Sequence, residues 1–224
     1  EETITGIGAE NIVRQCAENG LFCDAVVRSG SGSLWQGETG YVINAGLNGG
    51  KNTWEGVDVA GNWTKDALGG TFDVNLVGTY MLTKEVEIPA ADTYDCTGII
   101  SSRCYPTPEW RHTITASYDS NNFWAVTARW RYFGGVDYDG GLTNGKSDGV
   151  DTIVQGEIDG GESYLDLNAT FRILDNTEIL VGINNILDEE PPLVGGSLSS
   201  NANAIAGFYD TLGQYLFAQA TFRF

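Results

Sequence analysis

Residues 214–224 read QYLFAQATFRF, and apolar and polar side chains alternate along most of this stretch. The side chains of a β-strand point alternately to its two faces. One face therefore carries Leu216, Ala218, Ala220, Phe222 and Phe224, and the other carries Tyr215, Phe217, Gln219, Thr221 and Arg223. A half-buried strand of a soluble sandwich has the same alternation. The position of Phe224 on the apolar face, at the carboxyl end, favours a strand whose apolar face meets lipid.

The same alternation recurs in six earlier segments. In YLDLNATFRI, for example, Leu165 and Leu167 lie opposite Asp166 and Asn168. The sequence thus predicts seven strands, at 54–64, 71–83, 110–118, 123–133, 164–173, 178–184 and 214–224.

The connections between these strands differ in length in a regular way. Those at 65–70, 119–122 and 174–177 are short, and those near 1–53, 84–108, 134–161 and 187–213 are long. Outer-membrane barrels have short turns on the periplasmic rim and long loops on the extracellular rim. The pattern therefore predicts an all-β chain that forms part of an antiparallel transmembrane β-barrel.

The composition agrees with an all-β chain. Among its 224 residues are 30 glycines, 10 tyrosines and 6 tryptophans, and 42% of the residues are hydrophobic. No apolar run approaches the roughly 18 residues that a membrane helix needs. The formal net charge of -18 argues against a nucleic-acid partner, because phosphates are neutralised by Lys and Arg.

Four cysteines lie in two loops, Cys16 and Cys23 in the first and Cys96 and Cys104 in the second. Four cysteines allow three pairings, and two local disulfides are the simplest choice. Neither pair has C-x-x-C spacing and the chain has one histidine, His112, so a zinc or redox site is disfavoured. Disulfides indicate an oxidising compartment or a cell surface. A short helix is expected at residues 9–18, in the first of these loops.

The long connection at 134–161 is rich in Gly and Asp. Its aspartates are candidate Ca²⁺ ligands, but the spacing of an EF-hand loop is absent. No cofactor is predicted. The chain also lacks a Gly-x-Ser-x-Gly motif, a second histidine for a triad and a phosphate-binding glycine loop, so we do not expect an enzyme.

The end of the chain carries a family resemblance. The order NILDEEPPLVG, then a Gly/Asn-rich loop, then FYDTLGQYLFAQATFRF, resembles the carboxyl-terminal end of TonB-dependent outer-membrane receptors. The matching residues are Asn184, Asn185, Ile186, Leu187, Asp188, Pro191, Pro192, Tyr209, Asp210, Leu212, Gly213, Tyr215 and Phe224. Five of these residues form the signature of the barrel's carboxyl-terminal end: Tyr209, Asp210, Gly213, Tyr215 and Phe224. Upstream stretches are similar to the same family's distal barrel, so the resemblance covers nearly the whole chain.

The resemblance implies a function and a set of partners. A complete receptor has a plug domain and a barrel of roughly 22 strands, so residues 1–224 would be its carboxyl-terminal barrel segment in the bacterial outer membrane. The partners would be the plug and the other strands, lipid, TonB acting through the plug, and possible surface-exposed accessory proteins. The activity would be energised uptake of a scarce nutrient, such as a siderophore, an oligosaccharide or a peptide. A passive porin or adhesive barrel is the alternative, and a soluble β-sandwich binding module is the third.

Polar side chains on the strands are expected to face the barrel lumen, where they solvate it, pair with the plug or contact substrate. These are Arg111, Arg129, Arg131, Asp166, Asn168, Arg172, Glu178 and Arg223. Aromatic residues in the connections are expected to pack the loops together or to stack on a ligand. They are Trp35, Tyr41, Tyr94, Tyr105, Tyr138, Phe208 and Tyr209.

Overall fold

The computed structural model describes residues 2–34, 39–88, 93–101, 104–138, 154–155, 158, 160–195 and 203–224. The chain forms two compact units. The first comprises Glu1–Glu55 and Thr83–Asp95, and the second comprises Gly56–Leu82 and Cys96–Phe224.

Most of the described chain is antiparallel β-sheet. Helix α1 spans Ala9–Asn19, and a turn of 3-10 helix spans Cys23–Ala25. The strands are β1 (Glu2–Gly6), β2 (Val26–Val27), β3 (Tyr41–Val42), β4 (Gly46–Ala67), β5 (Gly70–Glu87), β6 (Tyr94–Asp95), β7 (Ile99–Ile100), β8 (Trp110–Asp119), β9 (Trp124–Phe133), β10 (Asp137–Tyr138), β11 (Val154–Gln155), β12 (Glu162–Leu174), β13 (Thr177–Asn184), β14 (Leu193–Val194) and β15 (Tyr215–Phe222).

The main sheet has the strand order β1-β4-β5-β8-β9-β12-β13-β15, and β6 pairs with β5. From β5 onward, neighbours in this order are joined by turns or loops and pair antiparallel. Three two-stranded pairs lie outside it: β10 with β7, β11 with β14, and β2 with β3. No helix among the described residues is long and apolar enough to cross a membrane.

Each of the seven predicted strands corresponds to a strand of the main sheet, and the predicted helix at 9–18 is confirmed by α1. The first two strands are longer than predicted. Strand β4 begins at Gly46 and β5 continues to Glu87, inside segments expected to be loops. Residues 1–53 are likewise not a simple loop, since they contain α1 and β1, which pairs with the start of β4. The first half of β4, GLNGGKNT, is polar and rich in Gly, so alternation could not reveal it.

The two faces of the sheet differ in chemistry. Cross-strand pairs align one row of apolar side chains over six strands: Val74, Ala116, Ala128, Leu167, Ile183 and Leu216. On this face Leu167 is 38% exposed and Leu216 79% exposed. The next row, on the opposite face, contains Asp166, which is 3% exposed. The apolar face is therefore open while the Asp166 carboxylate of the polar face is covered, which is the reverse of a soluble domain's core.

The long connections of the second unit share a hydrophobic core of their own. It consists of Ile100, Val136, Ile158, Val194, Ile205 and Tyr209, with Phe133, Tyr138 and Phe208 packed against it. Backbone hydrogen bonds join the same connections, from Asp137 N to Gly98 O at 2.8 Å and from Val136 N to Ile158 O at 2.9 Å. The loops that follow β7, β9 and β13 thus pack against one another.

Both local disulfides are confirmed, Cys16 with Cys23 and Cys96 with Cys104. The first joins Cys16, within α1, to the 3-10 turn that begins at Cys23. Helix α1 is capped by Gly20 in the left-handed conformation, whose amide donates to Cys16 O as in an αL C-cap, and the Leu21 amide donates to Gln15 O. The second disulfide is buried, with Cys96 at 1% and Cys104 at 2% exposure.

Replacement of Gly182 by Ala is expected to destabilise the sheet by about 1–3 kcal/mol, because an added Cβ would collide with the Phe217 ring on β15. Gly61→Ala is the matched control, since nothing lies within 4 Å of a Cβ at that strand position. Thermal unfolding measures the stability of both variants. Equal melting temperatures would contradict the Gly182 contact.

Removal of the Cys96–Cys104 disulfide by two Ser substitutions is expected to loosen the loop core, at a cost of about 2–4 kcal/mol. Hydrogen exchange of the amides of Gly98, Val136 and Asp137 measures the effect, and we expect faster exchange at all three. Removal of Cys16–Cys23 is the control, because that pair belongs to the other unit. Unchanged exchange after loss of Cys96–Cys104 would show that the loop core does not depend on the disulfide.

Candidate functional site

A cleft of about 430 Å³ lies on the polar face of the second unit, at the edge that carries the long connections. Strands β5, β8, β9 and β12 form its floor, and the segment that returns to β15 contributes one aromatic ring. Its lining includes Val77, Arg111, Thr113, Arg131, Tyr164 and Phe208. The volume falls within the roughly 300–1,000 Å³ of small-molecule pockets.

One carboxylate, that of Asp166, organises the charges beside the cleft. Arg129 Nε donates to Asp166 Oδ2 at 2.8 Å. Arg131 binds both carboxylate oxygens, from Nε and Nη2 at 3.0 Å each. The backbone amide of Asn185 adds a further bond to Oδ1 at 3.0 Å. Four donated bonds satisfy a carboxylate that has almost no exposure to solvent, as a buried charge requires.

Arg131 extends this network to the returning loop. Its Nη2 also donates to Asp210 Oδ2 at 3.1 Å, and its guanidinium lies 5.1 Å from the centre of the Tyr164 ring. A cation above an aromatic face is attracted by the ring quadrupole. Arg131 therefore joins β9, β12 and the loop before β15 through one side chain.

The motif NNILD forms a compact turn after β13. Asn185 and Asp188 both have positive φ, at 48° and 53°. The Asn185 side chain accepts from Glu189 N at 3.0 Å and donates to Glu189 O at 2.9 Å. Asp188 Oδ1 accepts from Gln214 N at 2.9 Å. These bonds bring the two ends of the last long connection together.

Gly213, next to Gln214, has a φ of +69°. A left-handed residue that approaches the Asp188 carboxylate this closely favours glycine, because a Cβ there would lie 3.3 Å from Asp188 Oδ1. The geometry thus gives a physical role to three of the residues that carry the family resemblance: Asn185, Asp188 and Gly213.

An aromatic cluster closes the cleft on its loop side. The Phe133 ring contacts Phe208 at 5.7 Å and Tyr209 at 5.5 Å, both edge to face. Tyr105 stacks on Phe208 at 5.9 Å with an interplanar angle of 16°, and is itself 70% exposed. Burial raises the pKa of the Tyr209 phenol, with the nearby Glu162 charge as a second cause, so Tyr209 stays neutral.

The structure separates the residues predicted to face the lumen into two groups. Arg129, Arg131 and Asp166 are in contact, and Arg111 lines the same cleft. At the opposite edge, Arg172 binds Asp119, with Nη1 3.0 Å from Oδ1, and lines a second hollow together with Glu178 and Arg223. Asn168 lies between these edges, paired across the sheet with Thr127 and Gly182.

The loop aromatics fall into three groups. Tyr138, Phe208 and Tyr209 pack in or against the loop core, and Tyr105 stacks on Phe208, which agrees with a packing role. Tyr41 lies in β3 and Tyr94 in β6, both in the first unit. Trp35 lies outside the described residues. Sequence alone did not indicate Tyr164 as a cleft residue or Asp119 as the partner of Arg172, because both contacts join strands distant in the chain.

The candidate Ca²⁺ ligands of the 134–161 connection lie mainly in 139–153, outside the described residues. Among the residues that are described, no group of three or more His, Cys, Asp or Glu side chains is placed to hold a metal ion.

Replacement of Asp166 by Asn is expected to destabilise the second unit by about 1–3 kcal/mol, because the covered side chain can no longer accept charge-assisted bonds from Arg129 and Arg131, although Arg131 keeps Asp210 as a partner. Asp119→Asn is the matched control. It removes a carboxylate from Arg172 at the exposed edge, where an ion pair contributes about 0–1 kcal/mol. Urea unfolding measures the free energy of unfolding of both variants. Equal losses would contradict the central role of Asp166.

Comparisons with known proteins identify no relative of this chain. No protein family model matches it, and neither a curated protein nor a solved structure matches it either. The features on which a function rests are therefore those of the chain itself: the open apolar face, the Asp166 network, the loop core and the cleft.

Proposed function

We propose that the chain is the carboxyl-terminal segment of a TonB-dependent transporter barrel in the bacterial outer membrane. It supplies barrel wall and extracellular loops for energised uptake of a scarce nutrient, and it transports rather than catalyses. The exposure of the apolar face carries the proposal. Side chains such as Leu167, Leu216 and Phe222 are 38%, 79% and 59% exposed on strands whose other face is polar. Lipid is the environment in which such a surface is stable.

Two aromatic groups on the apolar face support the membrane assignment. Near the long connections, Trp110, His112, Trp130 and Tyr132 contact one another, and Trp110 Nε1 donates to His112 Nδ1 at 2.9 Å. Near the short turns, Phe72, Tyr118 and Trp124 form a second group. Outer-membrane barrels carry a girdle of aromatic residues at each of the two membrane interfaces, and the two groups correspond in position to such girdles.

The separation of the two groups fits a bilayer. Trp110 and Tyr118 are the first and ninth residues of β8, and eight steps of about 3.4 Å span roughly 27 Å along the strand. A tilt of about 40° reduces this to roughly 20 Å along the membrane normal. The apolar band of outer-membrane barrels is about 25 Å tall. Ile114 and Ala116 lie between the two groups on the same face.

The unpaired edge of the last described strand indicates that the chain has partner strands. Among the described strands, β15 pairs with β13 alone, so the backbone groups of its other edge face no strand. Backbone N–H and C=O groups in lipid need a partner within the protein. The partners we propose are the other barrel strands and the plug of the same receptor, and TonB would act through that plug. Asn185, Asp188 and Gly213 are among the residues that carry the resemblance to this family. Their contacts order the connection between β13 and β15, which supports that resemblance.

A lysine on each face of β12 tests the proposal. Leu167→Lys places a charge on the apolar face, and we expect a cost of about 2–4 kcal/mol if that face meets lipid. Asn168→Lys is the matched control, one residue away on the polar face. Recovery of folded protein from the outer membrane, followed by its heat-modifiable electrophoretic mobility, measures assembly. Only Leu167→Lys is expected to reduce it.

The opposite result would exclude a lipid-facing wall. If both variants assemble equally, or if the wild-type chain is recovered in the aqueous fraction without detergent, the apolar face meets water or protein. The sheet would then belong to a soluble binding module.

A further inference from the structure

We propose that the cleft binds a small ligand consisting of one ring and one carboxylate, either an aryl acid or a sugar acid. The inference rests on the proposed transport function for its biological meaning, because the cleft would lie at the extracellular rim of the lumen. The chemistry that recognises the ligand is carried by Arg111 on the floor and by Phe208 on the loop side.

Arg111 is a cation available to a ligand. It lines the cleft with an exposed side chain, and it has no hydrogen bond or ion pair with any residue that the structure describes. The neighbouring cation, Arg131, is occupied by Asp166 and Asp210. A free guanidinium binds a planar carboxylate through two parallel N–H bonds.

Phe208 supplies a surface for a ring. It lines the cleft, and its position is fixed between Phe133 at 5.7 Å and Tyr105 at 5.9 Å. Rings with fixed neighbours lose little freedom when a ligand stacks on them, so they favour binding. Tyr105, which is 70% exposed, extends the aromatic surface outward from the cleft.

The balance of charge limits the ligand to one carboxylate. Asp166 and Asp210 are paired with Arg129 and Arg131, so Arg111 is the cation of the cleft floor that remains for a ligand among the described residues. Two further carboxylates lie beside the cleft, Glu162 near Tyr164 and Asp58 on the Thr79 hydroxyl. A second carboxylate on the ligand would therefore have no cation of the cleft floor to bind and would be repelled by the acidic side chains close to it.

The floor also offers hydroxyl groups beside the cation. Thr79 and Thr113 line the cleft, and Thr79 lies directly across the sheet from Arg111. The Thr79 hydroxyl donates to Asp58 Oδ1 at 2.8 Å, so its oxygen is left to accept, whereas a hydroxyl such as that of Thr113 can both donate and accept. They suit the ring substituents of a sugar acid, whereas Val77 and Phe208 suit the bare ring of an aryl acid.

Isothermal titration calorimetry tests the inference on the detergent-purified chain together with any segment that co-purifies. The probes are benzoate and glucuronate, with benzyl alcohol and glucose as neutral counterparts. We expect saturable binding of at least one acid and at least tenfold weaker binding of its neutral counterpart. Binding of benzoate alone identifies an aryl acid, and binding of glucuronate alone identifies a sugar acid.

Variants separate the two contacts. Arg111→Gln is expected to weaken binding of the acid at least tenfold and to abolish its preference over the neutral counterpart. Phe208→Leu is expected to weaken it while keeping that preference, because the guanidinium remains. Arg28→Gln is the control, since Arg28 donates to Gly32 O in the other unit and is expected to bind like the wild type. Thermal unfolding of each variant verifies that it is folded.

Two results would overturn the inference: no binding of either acid at millimolar concentration, or equal binding by Arg111→Gln and the wild type. Neither result affects membrane assembly, which the lysine variants of β12 measure independently. Loss of assembly in the Leu167→Lys variant combined with no acid binding would therefore reject the ligand and retain the barrel.

Discussion

The alternation of side chains along each strand is the constraint on which the rest of the structure depends. Because the period is two, a shift of one residue in any pairing would exchange the faces of that strand. The observed register places Leu167 opposite Ala128 and Ile183 on one face, and Asp166 opposite Arg129 on the other. The same register therefore fixes both the continuous apolar surface and the ion-pair network. A slip of β12 would bring Asp166 to the apolar face and leave two arginines without their carboxylate, so the site itself helps to specify the pairing.

Asp166 also connects the sheet to its loops. It binds the amide of Asn185 directly, and it holds Arg131, which in turn binds Asp210. Asp188 then receives the amide of Gln214. The long connection after β13 is thus bonded to the sheet near its beginning, through Asn185, and near its end, through Asp210. The bond between Gln214 and Asp188 joins its two ends to each other. Phe208 lies just before Asp210, so the attachment that satisfies a covered carboxylate also holds an aromatic ring over the cleft. The structural role and the proposed binding role are combined in this segment, and substitution of Asp166 would affect both.

The parts of the fold that sequence could predict are those with a local signal. The seven strands follow from alternation, α1 from its short helical stretch, and the disulfides from cysteines that lie close together in each loop. The loop core had no such signal, because Ile100, Val136 and Ile205 belong to very short apolar stretches in three separate connections, and only the folded structure brings them into contact. At the site, alternation predicted that Arg129, Arg131 and Asp166 all lie on the polar face. Their bonding to one another depends on the register between β9 and β12, which alternation within a single strand does not determine.

The distribution of constraints indicates where ligand specificity would lie in the proposed transporter. Residues on the apolar face are limited to side chains that lipid tolerates, and those of the Asp166 network are limited by the need to keep a covered charge satisfied. Neither constraint applies to Arg111 or Tyr105, so substitution is tolerated more easily at these two positions. Both side chains are exposed, and Arg111 has no partner among the described residues. Screening restricts the influence of exposed acidic groups to a Debye length of about 8 Å at physiological salt. The negative charge of distant loops therefore does not cancel the local field of Arg111 within the cleft. An anion that reaches the rim would meet a positive site inside an acidic protein, and charge at close range would select it before ring contacts with Phe208 discriminate further.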